Sequence, residues 1–179
     1  MMPPFAAAVV PYVYRFPVDQ LVMQLKYHDA PGAARVMAQL MESALEEYFR
    51  HQVNEADYLV PVPLLPRRFR QRGFNQSMQL ARCLSRRFAI PVHATALLRR
   101  APLGVATDGP SNTSLDREAR LAGAASERSG FTAEGVAGVR LLLVDDVMTT
   151  GATLSAAAES LLAAGARRVS VCAFARTPP

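Results

Sequence analysis

One segment near the end of the chain, residues 141–153, constrains the fold more than any other. It reads Leu-Leu-Leu-Val-Asp-Asp-Val-Met-Thr-Thr-Gly-Ala-Thr, an apolar run followed by two aspartates and a threonine- and glycine-rich turn. An alanine-rich helix is predicted to begin directly after the turn. A buried strand that leads into a tight turn and then a helix is typical of α/β folds, in which ligands bind where the strands end.

Each part of this segment suits a sugar phosphate. Backbone N–H groups at a helix N-terminus bind phosphate, and Gly151 allows the backbone to approach closely. Asp145 and Asp146 accept hydrogen bonds when ionised, so they suit the hydroxyl groups of a ribose or a bound Mg²⁺. The hydroxyl groups that can donate to the phosphate belong to Thr149, Thr150 and Thr153.

Other families also place two aspartates after a buried strand. The pair could form the Mg²⁺ site of another α/β family, or simply a solvated strand end. The sequence has no GxxxxGK[ST] motif, which disfavours a P-loop nucleotide hydrolase, and it has no Asp-x-Asp pair of the dehalogenase-type phosphatases. A receiver domain would carry its acidic pair on the first strand, whereas this pair lies in the last quarter of the chain.

Composition limits the remaining possibilities. A chain of 179 residues that is half hydrophobic can bury one sizeable core, so residues 1–179 are predicted to form a single domain. No apolar run approaches the roughly 20 residues that span a bilayer, and the first residues lack the basic start of a signal peptide. We therefore expect no membrane insertion and a cytoplasmic location. Cys83 and Cys172 are expected to be buried thiols rather than zinc ligands.

The pattern of apolar residues alternates between strands and helices. Strands are predicted over 58–60, 92–98, 139–144 and 169–174, with helices over 19–27, 33–50, 75–88 and 154–164. Such alternation predicts a parallel sheet flanked by helices. Residues 99–138 are polar and are predicted to form a long flexible loop, and residues 1–30 could form a hood over the site.

A second segment of interest, residues 58–76, contains a strand, a proline-stiffened turn and a run of arginines. Its final helix is predicted to be capped by Asn75. Guanidinium groups bind phosphate oxygens well, so a pyrophosphate site is one interpretation of this segment. An exposed basic loop and a nucleic-acid patch are the others. The arginines proposed for the pyrophosphate are Arg67, Arg70 and Arg72.

Residues 141–153 closely resemble the phosphoribosyl-pyrophosphate (PRPP) binding motif of type I phosphoribosyltransferases, and further blocks make the chain resemble the ComF/GntX-like members. These blocks are Leu25-Lys26-Tyr27, Val60 to Leu64, Arg72 to Gln76 with Leu80-Ala81, Leu115 to Arg117 with Arg120, and Val144 to Thr153. The resemblance covers about residues 20 to 176 and implies the type I phosphoribosyltransferase fold: a parallel α/β sheet flanked by helices, with a flexible flap. Some members are linked to natural competence, so single-stranded DNA or a protein of the competence machinery is an implied partner.

The same resemblance implies a role for each matching residue. Asp145 and Asp146 would meet the ribose hydroxyls and, indirectly, Mg²⁺ as the cofactor. The 5′-phosphate would lie on Thr149, Thr150, Gly151, Ala152 and Thr153. Arg72, together with Arg67 or Arg70, would meet the pyrophosphate. A mobile flap that excludes water would carry Arg99, Arg100, Arg117 and Arg120.

Two departures from the family pattern, together with the residue at position 149, leave the activity open. The sequence shows no four-cysteine zinc ribbon of the kind with which members usually begin, and Ala122 stands where the flap usually carries an Asn. In enzymes that act on 6-oxopurines, the position of Thr149 is typically an Asp that contacts the base. Thr149 cannot act as a base at neutral pH, so hypoxanthine and guanine are predicted not to be substrates.

Two functions therefore remain. The first is a Mg²⁺-dependent transferase that moves the phosphoribosyl group of PRPP to an unknown acceptor. The second is a non-catalytic PRPP- or nucleotide-binding protein that acts through DNA or a partner protein. Oligomers are compatible with either function, and salt-dependent binding to single-stranded DNA would favour the second.

Overall fold

We describe the protein from a computed structural model, which covers residues 3–27, 31–51, 56–99 and 130–178. Seven strands and five helices lie in these ranges. The strands are β1 (Ala8–Val9), β2 (Tyr12–Val13), β3 (Tyr58–Pro61), β4 (Leu97–Arg99), β5 (Phe131–Ala133), β6 (Arg140–Met148) and β7 (Arg168–Arg176). The helices are α1 (Val18–Tyr27), α2 (Pro31–His51), α3 (Pro66–Arg72), α4 (Gln76–Phe88) and α5 (Ala152–Ala163).

The predicted parallel sheet is confirmed. Its order is β1-β7-β6-β3, and every pair of neighbours is parallel. The short strand β2 also pairs with β7, two residues beyond β1 along the chain. Pro11 separates β1 from β2, and a proline is tolerated there because it lies on the edge of the sheet. Neither short strand was predicted, since two-residue segments are too short to show an apolar period.

The sheet is covered on both faces, which explains its unbroken apolar strands. Leu142 and Val144 of β6 point to the face covered by α1, α2 and α4. Leu141 and Leu143 point to the opposite face, which α5 covers. Alternation along one strand thus supplies both cores. Within the described ranges, no helix is long and apolar enough to cross a membrane.

The segments that follow β3 and β4 also differ from the sequence prediction. The run of arginines after β3 was predicted as a loop, but it forms the helix α3, which has no buried residue and therefore no apolar stripe to reveal it. Within the predicted loop 99–138, β5 pairs antiparallel with β4 and forms a small separate ribbon. Residues 100–129 of that loop lie outside the described residues.

The sheet brings two chain segments to one edge. Val144 of β6 pairs with Pro61 of β3, so the residues that follow each strand emerge side by side. β6 is longer than predicted and runs on to Met148, which places both aspartates within the strand rather than after it. The turn that follows leads directly into α5, and the arginine helix α3 follows β3.

Candidate active site

The two aspartates of β6 are held in different ways. Asp145 Oδ1 accepts a hydrogen bond of 2.8 Å from Ser77 Oγ and one of 2.9 Å from the backbone N–H of Asp146. Asp146 is buried, and its Oδ2 lies 3.0 Å from Nζ of Lys26. Ser77 belongs to the first turn of α4 and Lys26 to the last turn of α1. Three elements that are distant in sequence therefore meet at the acidic pair.

The surroundings make Asp145 hard to ionise. Burial raises the pKa of this carboxyl above its ordinary value, and the neighbouring carboxylate of Asp146 raises it further. The hydrogen bond from Ser77 opposes this shift because it favours the charged form. A ligand that donates hydrogen bonds or brings positive charge to Asp145 would favour ionisation in the same way.

The turn after β6 combines a left-handed glycine with threonine hydroxyl groups. Gly151 has a φ of 79°, in the left-handed region that glycine adopts at low cost. Thr150 Oγ1 accepts a hydrogen bond of 3.3 Å from the N–H of Ala152, the first residue of α5. Thr149 and Thr150 are exposed and Thr153 is half-buried. Thr149 and Thr153 line one cavity next to the amino end of α5, which carries the positive end of the helix dipole.

The arginines of α3 form two groups, those that line the cavity beside the aspartates and those that do not. Arg68 and Arg72 are four residues apart and so share one face of the helix, and both line the cavity beside the aspartates. Arg67 and Arg70, which were predicted to meet a pyrophosphate, are exposed and do not line that cavity. The sequence prediction treated the segment as a loop, and a loop gives no reason to prefer Arg68 over its neighbours.

Arg72 is the most firmly positioned of these arginines. Its Nη1 donates to Gln76 Oε1 at 3.1 Å, and its guanidinium lies 5.5 Å from the centre of the Tyr27 ring. The following residue, Gly73, ends α3 in the left-handed conformation. Asn75 then caps α4, since its side chain accepts hydrogen bonds from the N–H groups of Ser77 and Met78, as the sequence predicted.

One cavity of about 350 Å³ connects these groups. It lies at the carboxyl ends of β3 and β6, where ligands of parallel α/β sheets bind. Its lining residues with polar side chains are Tyr14, Lys26, Arg68, Arg72, Gln76, Ser77, Arg99, Asp145, Asp146, Thr149, Thr153 and Thr177. Thr150, Gly151 and Ala152 belong to the same turn but do not line the cavity.

Of the four arginines assigned to the flap, one can be placed. Arg99 ends β4, lines the cavity, and holds its guanidinium 5.0 Å from the centre of the Phe131 ring in the paired strand β5. Arg100, Arg117 and Arg120 lie outside the described residues. The placement of Arg99 brings a cation to the cavity from the ribbon rather than from the main sheet.

Sequence reasoning missed Lys26, Ser77 and Arg68 as site residues. Ser77 and Lys26 reach the aspartates through contacts between distant parts of the chain, which no local pattern encodes. One signal for Lys26 was present, because it is the only lysine among 20 lysine and arginine residues.

The fold and the site define a class of protein: an α/β protein whose acidic pair, phosphate-type turn and arginine helix surround one cavity at the strand ends. Residues 75–178 match the family model described as the phosphoribosyl transferase domain. The chain belongs to this family, and within it to the ComF-like phosphoribosyltransferase homologues.

Curated relatives share most of this chain. It is 31% identical to the DNA utilization protein YhgH of Escherichia coli O157:H7 over 98% of this chain and 74% of the relative. It is also 31% identical to competence protein F of Haemophilus influenzae over 91% of this chain and 69% of that protein. A purine phosphoribosyltransferase structure from Pyrococcus horikoshii is 16% identical, with a TM-score of 0.44, over 79% of this chain and 80% of that one.

Proposed function

We propose that the cavity binds PRPP and that the protein transfers its phosphoribosyl group to an acceptor. The observation that carries the proposal is that the acidic pair and the threonine turn share one cavity with two arginines of α3. In this arrangement Asp145 and Asp146 hold the ribose hydroxyls, the turn 149–153 holds the 5′-phosphate, and Arg68 and Arg72 face the pyrophosphate. The carboxylates accept hydrogen bonds from the ribose hydroxyls, and the arginines offset the negative charge of the pyrophosphate.

Magnesium fits this site as a partner of the ligand. Within the described residues, no three acidic, histidine or cysteine side chains cluster closely enough to hold a metal ion alone. Mg²⁺ is commonly bound by one or two carboxylates together with phosphates and water, and Asp145 and Asp146 supply such a pair. When bound, the ion would neutralise charge on the pyrophosphate.

The chain's own residues have a clear task in the transfer. The bond between ribose C1 and the pyrophosphate oxygen breaks, and a bond from C1 to the acceptor forms. Arg68, Arg72 and Arg99 place positive charge where the departing pyrophosphate gains negative charge. The aspartates fix the ribose, which keeps C1 in position for the acceptor. Thr149 in place of an acidic base contact argues against hypoxanthine and guanine as acceptors.

Calorimetry of PRPP binding with and without Mg²⁺ tests the proposal. We expect binding by the wild type and its loss in Asp145→Asn/Asp146→Asn, which removes charge with little change of shape. The matched control is Asp57→Asn, which alters a carboxylate at the opposite end of the sheet. A wild type that gives no heat with PRPP would contradict the proposal. If PRPP binds, release of pyrophosphate with a panel of acceptors distinguishes a transferase from a protein that only binds.

We propose, as a second function, binding of single-stranded DNA, which would connect this protein to the roles named for its relatives. Three adjoining cavities of about 560, 280 and 310 Å³ form a groove beside α4. The first contains Phe69 and Phe74, and Arg82, Arg35 and Arg86 line the groove beyond them. Aromatic rings followed by arginines suit stacked bases and a phosphate backbone.

Fluorescence anisotropy with a labelled oligonucleotide tests this second function at several salt concentrations. We expect Arg82→Gln/Arg86→Gln to weaken binding and to reduce the slope of log affinity against log salt by about one to two. The matched control, Arg50→Gln/Arg167→Gln, removes two exposed arginines outside the groove. Equal losses of affinity in both variants would indicate attraction by net charge alone and would contradict binding of DNA along the groove.

A further inference from the structure

Lys26 occupies a unique position in both the sequence and the site. The chain uses arginine for every other basic side chain except its histidines. Its one lysine lies 3.0 Å from Asp146, with 22% of the lysine side chain and 5% of the aspartate side chain exposed. The same lysine lines the cavity that contains the acidic pair.

The chemistry of lysine differs from that of arginine in a way that matters here. An ammonium group is a compact charge with three donors on a flexible stem, whereas a guanidinium is a planar fork that binds a carboxylate through two bonds. A lysine can therefore turn from one acceptor to another within a cavity. An arginine at the same place would hold the carboxylate more firmly.

The core anchors the backbone of Lys26, and its side chain extends to the cavity. Val22 and Leu25 of α1 are fully buried in the core, so the helix is fixed. The next residue, Tyr27, packs its ring against the guanidinium of Arg72. The last turn of α1 thus contacts both halves of the cavity, the acidic pair through Lys26 and the arginine helix through Tyr27.

We propose that Lys26 is a ligand-responsive positioning residue that exchanges partners when the sugar phosphate binds. Before the ligand binds, its ammonium neutralises Asp146. When the ribose hydroxyls donate to Asp146, the ammonium turns toward a phosphate oxygen of the same ligand. The exchange makes binding depend on the ribose hydroxyls, because only a ligand that donates to Asp146 releases Lys26. This inference rests on the proposed function of the cavity.

The single lysine makes the proposal directly measurable. Protein grown with isotope-labelled lysine gives an NMR spectrum of Lys26 alone. We expect the ε-methylene signal to shift on addition of PRPP or ribose 5-phosphate, and to shift much less with 2-deoxyribose 5-phosphate, which lacks one hydroxyl. Inorganic pyrophosphate tests whether a phosphate alone can draw the ammonium from Asp146, and we expect it to produce a small shift.

Two substitutions separate exchange from a fixed ion pair. Lys26→Met removes the positive charge. Lys26→Arg keeps the charge on a guanidinium group, which would bind the carboxylate of Asp146 through two bonds. We expect each to weaken PRPP affinity by about tenfold, the size of one charge-assisted hydrogen bond. The control Arg50→Gln removes an exposed basic residue that pairs with Glu47 and should bind PRPP as the wild type does.

The outcomes distinguish this inference from the function on which it rests. Heat on mixing with PRPP together with an unmoved Lys26 signal would overturn the exchange and leave PRPP binding intact. Wild-type affinity in Lys26→Arg would overturn it too, since a fixed ion pair tolerates arginine. Absence of heat with the wild type would overturn the PRPP site and the exchange together. The NMR arm uses the wild type, so it remains decisive even if Lys26→Met folds poorly.

Discussion

The carboxyl groups at the two ends of strand β6 lie in opposite environments. At the amino end, Asp57 accepts three hydrogen bonds from Arg140: its Oδ2 from the backbone N–H at 2.7 Å and from Nε at 3.0 Å, and its Oδ1 from Nη2 at 2.6 Å. These bonds lower the pKa of Asp57 to about 2. At the carboxyl end, Asp145 and Asp146 lie side by side next to one ammonium group, and the pKa of Asp145 is raised.

This contrast separates a structural end of the strand, at Asp57 and Arg140, from a candidate binding end, at Asp145 and Asp146. A carboxylate that is fully paired contributes to folding stability and has little left to offer a ligand. Two adjacent carboxylates with few partners destabilise the fold, and a ligand that brings donors or cations relieves that cost. The paired Asp57 thus stabilises one end of the strand, and the acidic pair makes the other end the candidate binding site.

The two ends should also respond oppositely to pH. The pKa of Asp57 is lowered by folding, so its contribution to stability is present above its unfolded value and is lost as pH falls toward 2. The pKa of Asp145 is raised, so its contribution is largest at acidic pH and is lost as pH rises through the folded value. Binding through an ionised Asp145 should therefore strengthen as pH rises.

The largest predicted effect is that of Asp145→Asn on the binding end. At alkaline pH, where Asp145 is ionised, loss of this charged acceptor should weaken ribose 5-phosphate binding by about 10- to 100-fold, the range for a charged hydrogen bond. The same change should raise the midpoint of thermal unfolding at pH 8, because a buried carboxyl that resists ionisation is replaced by a neutral amide. Calorimetric titration and a melting curve measure both effects. A variant that lost stability and binding together would contradict the contrast between the two ends.

Next in size is the effect of alanine at two glycines, one at each end of the strand. Gly151 has a φ of 79° and Gly138 a φ of 74°, so alanine at either should cost about 1 kcal/mol of stability. At Gly151 the new Cβ would also lie 2.8 Å from Met148 Cε, whereas nothing lies within 4 Å at Gly138. We expect only Gly151→Ala to weaken ribose 5-phosphate binding, by about tenfold for one lost phosphate hydrogen bond.

Equal binding in the two alanine variants would show that the turn after β6 does not approach the phosphate. Urea unfolding supplies the matched comparison, because both variants should lose similar stability. The side chain of Met148 ends in a flexible methyl group, so the added contact at Gly151 should cost less than the backbone strain.

Much of the fold could be predicted because its signals are local. The apolar run 141–144 is buried on both faces, which gives a continuous hydrophobic pattern, and Asn75 caps its helix through adjacent N–H groups. The end of β6 was predicted too early because aspartate is rare in strands. Its pairing with β7 carries the strand past both aspartates, as far as Met148 beside Arg176. A pairing of this kind is a tertiary effect.

Some residues of the candidate site could likewise be predicted from the local sequence, and others could not. The acidic pair and the turn are contiguous in sequence, so the motif identified them without any structure. Ser77 and Lys26 reach the acidic pair from two other helices, and only the folded chain shows that they meet. Arg68 was missed because a helix decides which arginines share a face, and α3 has no apolar stripe from which a helix could be predicted.

A smaller effect is predicted for Asp57→Asn at the structural end. Asparagine cannot hold the guanidinium of Arg140 as a carboxylate does, so we expect a loss of about 1 kcal/mol at pH 7, discounted because the pair is partly exposed. The loss should shrink as pH falls from 4 to 2, where the wild-type carboxyl itself becomes protonated. Urea unfolding at several pH values measures it. A loss that stayed constant down to pH 2 would mean that packing, rather than charge, is what the aspartate contributes.

The smallest effect is predicted for Ser77→Ala, which tests how Ser77 changes the pKa of Asp145. Ser77 is buried and donates to Asp145 at 2.8 Å, which lowers the pKa of that carboxyl against the effects of burial and of Asp146. Without the hydroxyl the pKa should rise further. The pH at which ribose 5-phosphate binding reaches half its maximum should then move upward by about half a pH unit.

Binding to Ser77→Ala should approach that of the wild type at alkaline pH, where Asp145 is ionised in both proteins. The matched control is Ser170→Ala, which removes another buried serine, the partner of the Tyr48 hydroxyl group, and should leave the pH profile of binding unchanged. A loss of affinity in Ser77→Ala that is the same at every pH would mean that Ser77 contacts the ligand itself. In that case the contrast between the two ends would rest on the two carboxylates and Lys26 alone.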